Sequence, residues 1–373
     1  MSILAINAGS SSLRLSLFVQ TENSLKQLAS VHYKGIDSAD LSLLGNFISP
    51  VEAAGITLVV HRVVHGGTRL VTPCRIDATV EAEIKRLIPL APLHNPSALE
   101  WIQLARRLLG EHVSQVAVFD TAFYQSLPEV ATIYAMPREL CREHGIRRYG
   151  FHGIAHRAML NRWGEVRPDV RGGGRVISIQ LGSGCSITAI DHGVPVDTSM
   201  GFSPLEGLLM ATRSGDVDPA VIMFLQRQEG MNVEDVERLL NTQSGLLGVS
   251  DESSDMQVLL DSGSPDAELA VSLYCYRVRK YIGAYLSVLG GADAILFGGG
   301  VGENSAKIRM KILQDMQWLG VSLDLFRNDN VTGKELCISA ADSQTDVWVM
   351  PVDEARVMAL DAVAIMNNVE GLP

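Results

Sequence analysis

Apolar residues gather in short runs, each closed by small or turn-forming residues, with longer stretches of helical spacing between them. The first run, Ile3–Asn7, stops at Ala-Gly-Ser-Ser-Ser, and an alternating run follows from Leu13 to Phe18. Strand, small-residue turn, strand is the simplest reading. The same grammar returns at 176–191 as VISIQL, GSGCS and ITAID. AINAGSSSLRLSLF and SIQLGSGCSITAID are thus one device used twice. Their separation far exceeds the about 20–50 residues of a solenoid repeat, so the pattern predicts two related lobes. A third apolar run, Ala294–Phe297, leads through GGGVGENS at 298–305 into SAKIRMKILQDM, which predicts strand, glycine turn, helix. Further helices are predicted over Glu81–Leu90, Ser97–Leu109 and Glu268–Leu289. Strands and helices alternate, so the class is α/β. The polar stretch RPDVRGGGR at 167–175 reads as a surface loop, and a lobe boundary is placed near Arg148–Phe151.

The length of 373 residues suits two lobes of ordinary size. A net charge of −11 disfavours nucleic acid and anionic membranes as partners, although local arginines can still reverse the field around an anionic substrate. Cys74, Cys141, Cys185, Cys275 and Cys337 are scattered without a CxxC pair, which argues against a disulfide framework or a zinc site and for reduced thiols. The N-terminus reads as a first strand and not as a signal peptide. No apolar stretch approaches the roughly 18 residues of a membrane span. The expected location is cytoplasmic.

Several residue groups carry candidate chemistry. Glycine allows close backbone approach to an anion, so the turns at Ser10, Ser11, Ser12 and at Gly182, Ser183, Gly184 are either plain β-turns or a pair of phosphate cradles. Neither is a P-loop, because GxxxxGK[ST] is absent. Arg62 in VVHRVVHGG and Arg213 in MATRSGDVDP sit beside small residues, placed either for structural ion pairs or for bidentate contacts to a carboxylate and a phosphoryl group. His94, His152 and His156 lie in Gly- and Pro-flanked segments, which suits core histidines and site histidines alike. Asp120 ends VAVFD, and Glu354 follows VWVMPVD. A carboxylate at a strand end can hold Mg²⁺, while Asp120 also fits a helix N-cap.

INAGSSSLR, HRVVHGG, LAPLHNP, FDTAF, RRYGFHG, DTSMGFSPLEGLLMATRSGDVDP, SGLLGVSDESSD, GGVGENS and MPVDE follow one another in this order. Together they resemble the acetate kinase family, within the actin/sugar-kinase/Hsp70 superfamily, nearly end to end. The resemblance is weakest at about 20–55, where the chain is shorter than its relatives, and around 320–346. It implies a two-lobed, duplicated ribonuclease H-like fold with a cleft between lobes. The lobes would span 1–148, with a C-terminal helix at about 355–373 packed on the first, and 149–354. It implies reversible, direct in-line phosphoryl transfer between ATP and acetate. Asn7 and the Ser10–Ser12 turn would approach the phosphoryl group, with Arg14 beside them. Arg62 and Arg213 would flank acetate and phosphoryl, His152 would donate to phosphoryl oxygens, and His94 would support the acyl side. Val64, Leu93, Phe151 and Pro204 would form a small acyl pocket. Asp120 and Glu354 would organise the metal and the arginines, with Asn7 and Glu354 nearest Mg²⁺, for which Mn²⁺ substitutes. Gly182, Ser183, Gly184, Asp255, Met256, Gln257, Gly299, Gly300, Val301, Gly302 and Asn304 would serve the ATP/ADP side, with Gly299 and Gly300 leaving room for adenine. The resemblance also implies a homodimer, with an interface expected near Leu273–Leu289.

The chain departs from the family pattern at several positions. Arg14 stands for lysine, Tyr124 for a histidine, Gln180 and Ser183 for the histidine and asparagine of HLGNG, and Ile154 and Ala155 for Thr-Ser. Met256 and Gln257 replace a residue of aromatic or similar type and an arginine. The nucleotide-side changes predict a raised nucleotide KM or an altered nucleotide choice. Two alternatives stand beside an acetate kinase: a propionate- or butyrate-type kinase, and a weakened paralogue that binds nucleotide or acyl phosphate as a sensor.

Overall fold

A computed structural model describes residues 1–9, 12–21, 24–36, 39–48 and 55–370, the side chains of 368–370 excepted. The chain forms two compact units. The first gathers Met1–Gln125, Phe151–Arg157 and Asp353–Pro373; the second gathers Ser126–Gly150 and Ala158–Val352. This partition is finer than a single cut near residue 148.

The first unit is built on β1 (Ser2–Ala8), β2 (Ser12–Gln20), β3 (Leu25–Lys34), β4 (Ile56–Val63), β5 (Cys74–Arg75) and β6 (Ser114–Phe119), in the order β3-β2-β1-β4-β6-β5. β1 pairs antiparallel with β2 and parallel with β4, and β4 pairs parallel with β6. From Ile3 to Ala8, β1 is buried without alternation. The cause is cover on a central strand: Leu4 and Ile6 pack with Trp101 and Leu104 of the helix Asn95–Leu109, and the helix Glu354–Glu370 also packs on β1. Trp101, Ile102 and Leu104 are each buried at a gain on the order of 1.5–3 kcal/mol per large side chain. Pro96 lies in the first turn of the helix Asn95–Leu109 and Gly110 ends it, which sets its length.

The second unit contains β7 (Arg175–Leu181), β8 (Cys185–Asp191), β9 (Val194–Thr198), β10 (Ala294–Gly298), β11 (Leu336–Cys337) and β12 (Asp346–Val349), in the order β11-β12-β10-β7-β8-β9. Read from the other edge, this is the plan of the first sheet, with the same parallel and antiparallel pairings. The helix Pro265–Leu289 covers β7 and β8. It begins three residues before the sequence-based start at Glu268, because Ser264 caps it and Pro265 occupies the first turn. GGGVGEN is not a turn as the sequence suggested. Gly299–Asn304 is itself a short helix, followed by a second over Ala306–Leu313. Arg309, fully buried, sustains that break by donating to the carbonyls of Gly302, Glu303, Asn328 and Val331.

Candidate active site

In the first unit, three neighbouring parallel strands deliver side chains at their carboxyl ends, where open α/β sheets gather ligands. Asn7 lies near the end of β1, Arg62 near the end of β4, and Asp120 directly after β6. Arg62 Nε donates to Asp120 Oδ1 and Oδ2 at 3.1 and 3.2 Å, and Nη2 donates to Oδ2 at 2.6 Å. Nη1 donates to Asn7 Oδ1 at 3.2 Å, and Asn7 Nδ2 donates to Glu354 Oε2 at 2.7 Å. One chain of hydrogen bonds thus joins Asp120, Arg62, Asn7 and Glu354, which are 347 residues apart at its last link.

Asp120 is fully buried, and the Arg62 side chain is 12% exposed. Burial works against the charge of Arg62, but the fields of Asp120 and then Glu354 outweigh it and raise its pKa. Asp120 is therefore committed to the guanidinium. It is the first residue of a 3-10 turn, Asp120–Tyr124, whose N-cap position is Phe119, and its side chain turns to Arg62. Guanidinium carries five N–H donors. Nε–H, one on Nη1 and one on Nη2 are used, so among the described residues one N–H on each terminal nitrogen is left over.

The segment Phe151–Gly153 is seated on this group. Tyr124, buried at the end of the 3-10 turn, donates from its hydroxyl to the Phe151 carbonyl at 2.9 Å. A Cβ on Gly153 would lie 2.0 Å from the Asp120 carbonyl oxygen, so only glycine allows this approach. Between them His152 has φ of 57°, in the left-handed region. His65 packs edge-on against Phe151, with ring centroids 5.4 Å apart. Asn95 exchanges hydrogen bonds with the His65 backbone, which ties the His94 segment to Val64. Val64 and Phe151 are buried, while Leu93 is exposed. Burial pushes the His61 and His65 pKa values down to about 4, and that of His156 well below its ordinary value, so these imidazoles are neutral.

In the second unit, Arg213 Nη1 donates to the Pro204 carbonyl at 3.1 Å. Their loop is held by groups that the sequence reading did not single out. Asp216 accepts from the Gly207 amide at 2.8 Å and from the Tyr281 hydroxyl at 2.7 Å. Glu206 accepts from Tyr134 and, at 2.6 Å, from Arg148. Two acids within the motif that holds Arg213 were the available signal; their side-chain partners lie 58 to 72 residues away.

The Gly182–Gly184 turn closes through a Gly182 amide to Gly184 carbonyl bond of 3.0 Å, and the Ala211 amide donates to Ser183. Gly299 has φ of 79°, and a Cβ there would meet the Leu181 carbonyl at 2.5 Å; beside it, Gly300 faces open space. The two glycines therefore differ: backbone geometry demands the first, and the second leaves room. Glu303 Oε1 accepts from the amides of Gly299 and Val352, both at 3.0 Å, and Asn304 donates to the Gly300 carbonyl. Val301 is half-buried and Gly302 buried. Asp255 caps the helix Met256–Ser262, in which Met256 is buried and Gln257 Nε2 donates to Asp261. Gln180 Oε1 is buried without a hydrogen-bond partner among the described residues. Arg14 is exposed on β2 in register with Asn7, and Ser12 begins that strand; Ser10 and Ser11 lie outside the described residues. Among the described residues no cluster of three or more His, Cys, Asp or Glu could hold a metal, and no helix is long and apolar enough to cross a membrane.

Residues 21–360 match the model of the acetokinase family. An acetate kinase from Chloroherpeton thalassium is 47% identical over 311 residues, covering 82% of this chain and 75% of its own length. An acetate kinase from Phocaeicola vulgatus is 41% identical over 400 residues, covering 99% of this chain and 100% of its own. The crystal structure of Porphyromonas gingivalis acetate kinase matches with a TM-score of 0.85 at 37% identity, over 98% of this chain and 99% of that one. A propionate kinase from Francisella tularensis matches with a TM-score of 0.88 at 34% identity, over the same shares.

Proposed function

Since the chain belongs to the acetokinase family, we propose that it transfers the γ-phosphoryl group of ATP to the carboxylate of acetate, giving acetyl phosphate and ADP, and runs the reverse reaction at the same groups. The observation that carries this reading is the hydrogen-bonded chain Asp120–Arg62–Asn7–Glu354.

Acetate is already an anionic nucleophile and needs no strong general base. The barrier to overcome is repulsion between two anions, and phosphoryl transfer depends mostly on positioning and charge stabilisation. Arg62, held charged and fixed in orientation by Asp120, offers its two remaining N–H groups to acetate and to an equatorial phosphoryl oxygen. Arg213 supplies the second cation from its Pro204-anchored loop, and His152 donates to a phosphoryl oxygen. Val64, Leu93, Phe151 and Pro204 line the acyl group, with His94 beside it. The second unit is the nucleotide lobe in this reading. Its Gly182–Gly184 turn serves the phosphates, and Asp255 with Gly300 and Val301 serves the adenosine.

The residues present fit a small, oxygen-preferring cation. Glu354 offers a half-buried carboxylate, and Mg²⁺ favours one or two carboxylates beside phosphate and water, with Mn²⁺ as a substitute. When bound, such an ion neutralises charge on the phosphate oxygens. Asn7 Oδ1 faces the Arg62 guanidinium, so the part of Asn7 is to fix Arg62 and Glu354 relative to each other.

The reading extends to a cytoplasmic homodimer. Five free thiols support the compartment. The whole helix Pro265–Leu289 buries most of its apolar residues within its own unit, whereas the helix Pro219–Gln228 buries none and exposes Val221, Met223 and Phe224, which favours the latter as the dimer face.

The test is acetyl phosphate formation from acetate and MgATP with hydroxylamine trapping, beside propionate, butyrate and no acid. Acetate should be turned over fastest and butyrate slowest. A higher kcat/KM for propionate would move the assignment to a propionate kinase. Nucleotide binding without turnover of any acid would leave the sensor reading in its place.

A further inference from the structure

Tyr124 has a role that charge and motif do not reveal. It lies four residues beyond Asp120, at the other end of the same 3-10 turn, and is 1% exposed. Its hydroxyl reaches across 27 residues of sequence to the Phe151 carbonyl, the group directly before His152. On the other side of His152, Gly153 rests against the Asp120 carbonyl so closely that a Cβ would overlap it. The one turn that presents Asp120 to Arg62 therefore grips the chain both before and after His152.

His152 itself stands at φ 57°. A side chain-bearing residue keeps that conformation only where its surroundings over-determine it. The Gly153 contact limits how far the backbone can move, and the Tyr124 hydrogen bond fixes the plane of the peptide that carries the His152 amide. We infer that Tyr124 is a positioning residue for phosphoryl transfer: its hydroxyl, bonded to the Phe151 carbonyl, holds His152 in the left-handed conformation from which it meets the phosphoryl group. The inference rests on the role given to His152 above. It makes the orientation of His152 and the placement of the Arg62–Asp120 pair properties of a single five-residue turn, Asp120–Tyr124.

The experiment is a double-mutant cycle on kcat, with Tyr124→Phe, His152→Ala and the pair, at saturating acetate and MgATP. Rates are expressed per nucleotide-binding site from an ADP titration, so that partial unfolding of a variant does not count as lost catalysis. Tyr124→Phe is expected to lower kcat about tenfold while both KM values stay within about twofold, and to have no further effect once His152 is alanine. Three outcomes overturn the inference: an unchanged kcat per site in Tyr124→Phe, a loss confined to KM or thermal stability, or an equal loss in the His152→Ala background. His152→Ala with full kcat would instead overturn the role assigned to His152, and is read separately from the effect of Tyr124→Phe on its own.

Discussion

The two sheets share one strand plan but are furnished differently where it matters. In the first unit, the ends of the three adjacent parallel strands carry Asn7, Arg62 and Asp120. In the second, Gln180 lies near the end of β7, and β10 and β12 end in Gly298 and Val349. Apolar strand interiors dictate the plan in both, and the last one or two residues of each strand dictate the chemistry. The amides make the contrast sharpest. Both polar ends of Asn7 are bonded, to Arg62 and Glu354, while the buried Gln180 oxygen has no partner among the described residues. The first unit gathers its charge network at strand ends, whereas the second holds Glu206 and Asp216 in the loop of Arg213. The histidines divide the same way: of nine, only His144 and His192 lie in the second unit, and both are exposed.

The hardest test of this contrast is Arg62→Ala. It should lower kcat by about a thousandfold or more in the trapping assay. It should also destabilise the chain by about 3–5 kcal/mol in urea unfolding, because it strands the fully buried Asp120 carboxylate. Stability equal to the parent would mean that the pair is not the keystone of the first unit.

Acid should separate the units next. His61 and His65 have folded pKa values near 4, against an ordinary 6.5, so the unfolded chain binds more protons between those values. Their contribution is present above pH 6.5 and is lost as pH falls toward 4, at about 3 kcal/mol for each group. Both belong to the first unit, so amide exchange followed from pH 7 to pH 4.5 should show that unit losing protection first. Earlier loss in the second unit would break the comparison.

Smaller effects sharpen the second unit. Gly299→Ala should cost about 1–3 kcal/mol, since it combines a positive φ with backbone overlap. Gly300→Ala should barely change stability but raise the nucleotide KM, because its Cβ would enter open space. Equal melting temperatures for the two variants would refute the distinction. Smallest of all, Gln257→Arg should lower the nucleotide KM a few-fold, roughly the worth of one charge-assisted contact. No change would show that Asp261, which now holds Gln257, keeps the new side chain away from nucleotide.

Much of the fold was legible because apolar runs interrupted by glycine leave a local signature. β7, β8 and β10 lie within a residue or two of their expected limits for that reason. The two-residue strands β5 and β11 carry no periodicity and could not be read. The helix at Gly299–Asn304 was read as a turn because glycine is a poor helix former; the buried Arg309 and the Glu303 carboxylate overrule that propensity. Within the site, residue types were visible but pairings were not. Asp120 suited a metal ligand or an N-cap equally well, and what decides its fate is Arg62, 58 residues earlier in the chain. Tyr124 shows the same limit: a departure from the family pattern in sequence is, in space, the anchor of Phe151.

The helix Glu354–Glu370 packs on β1, β4 and β6, and Glu354 at its start completes the bond to Asn7. During synthesis, β1 leaves the ribosome long before that helix exists. The first sheet must wait, one face uncovered, while the larger part of the second unit, Ala158–Val352, is translated. At ribosomal speeds of about 5–20 residues per second this interval lasts on the order of ten seconds or more. The second unit is the one free to fold as it emerges, and the first closes last although its chain begins first.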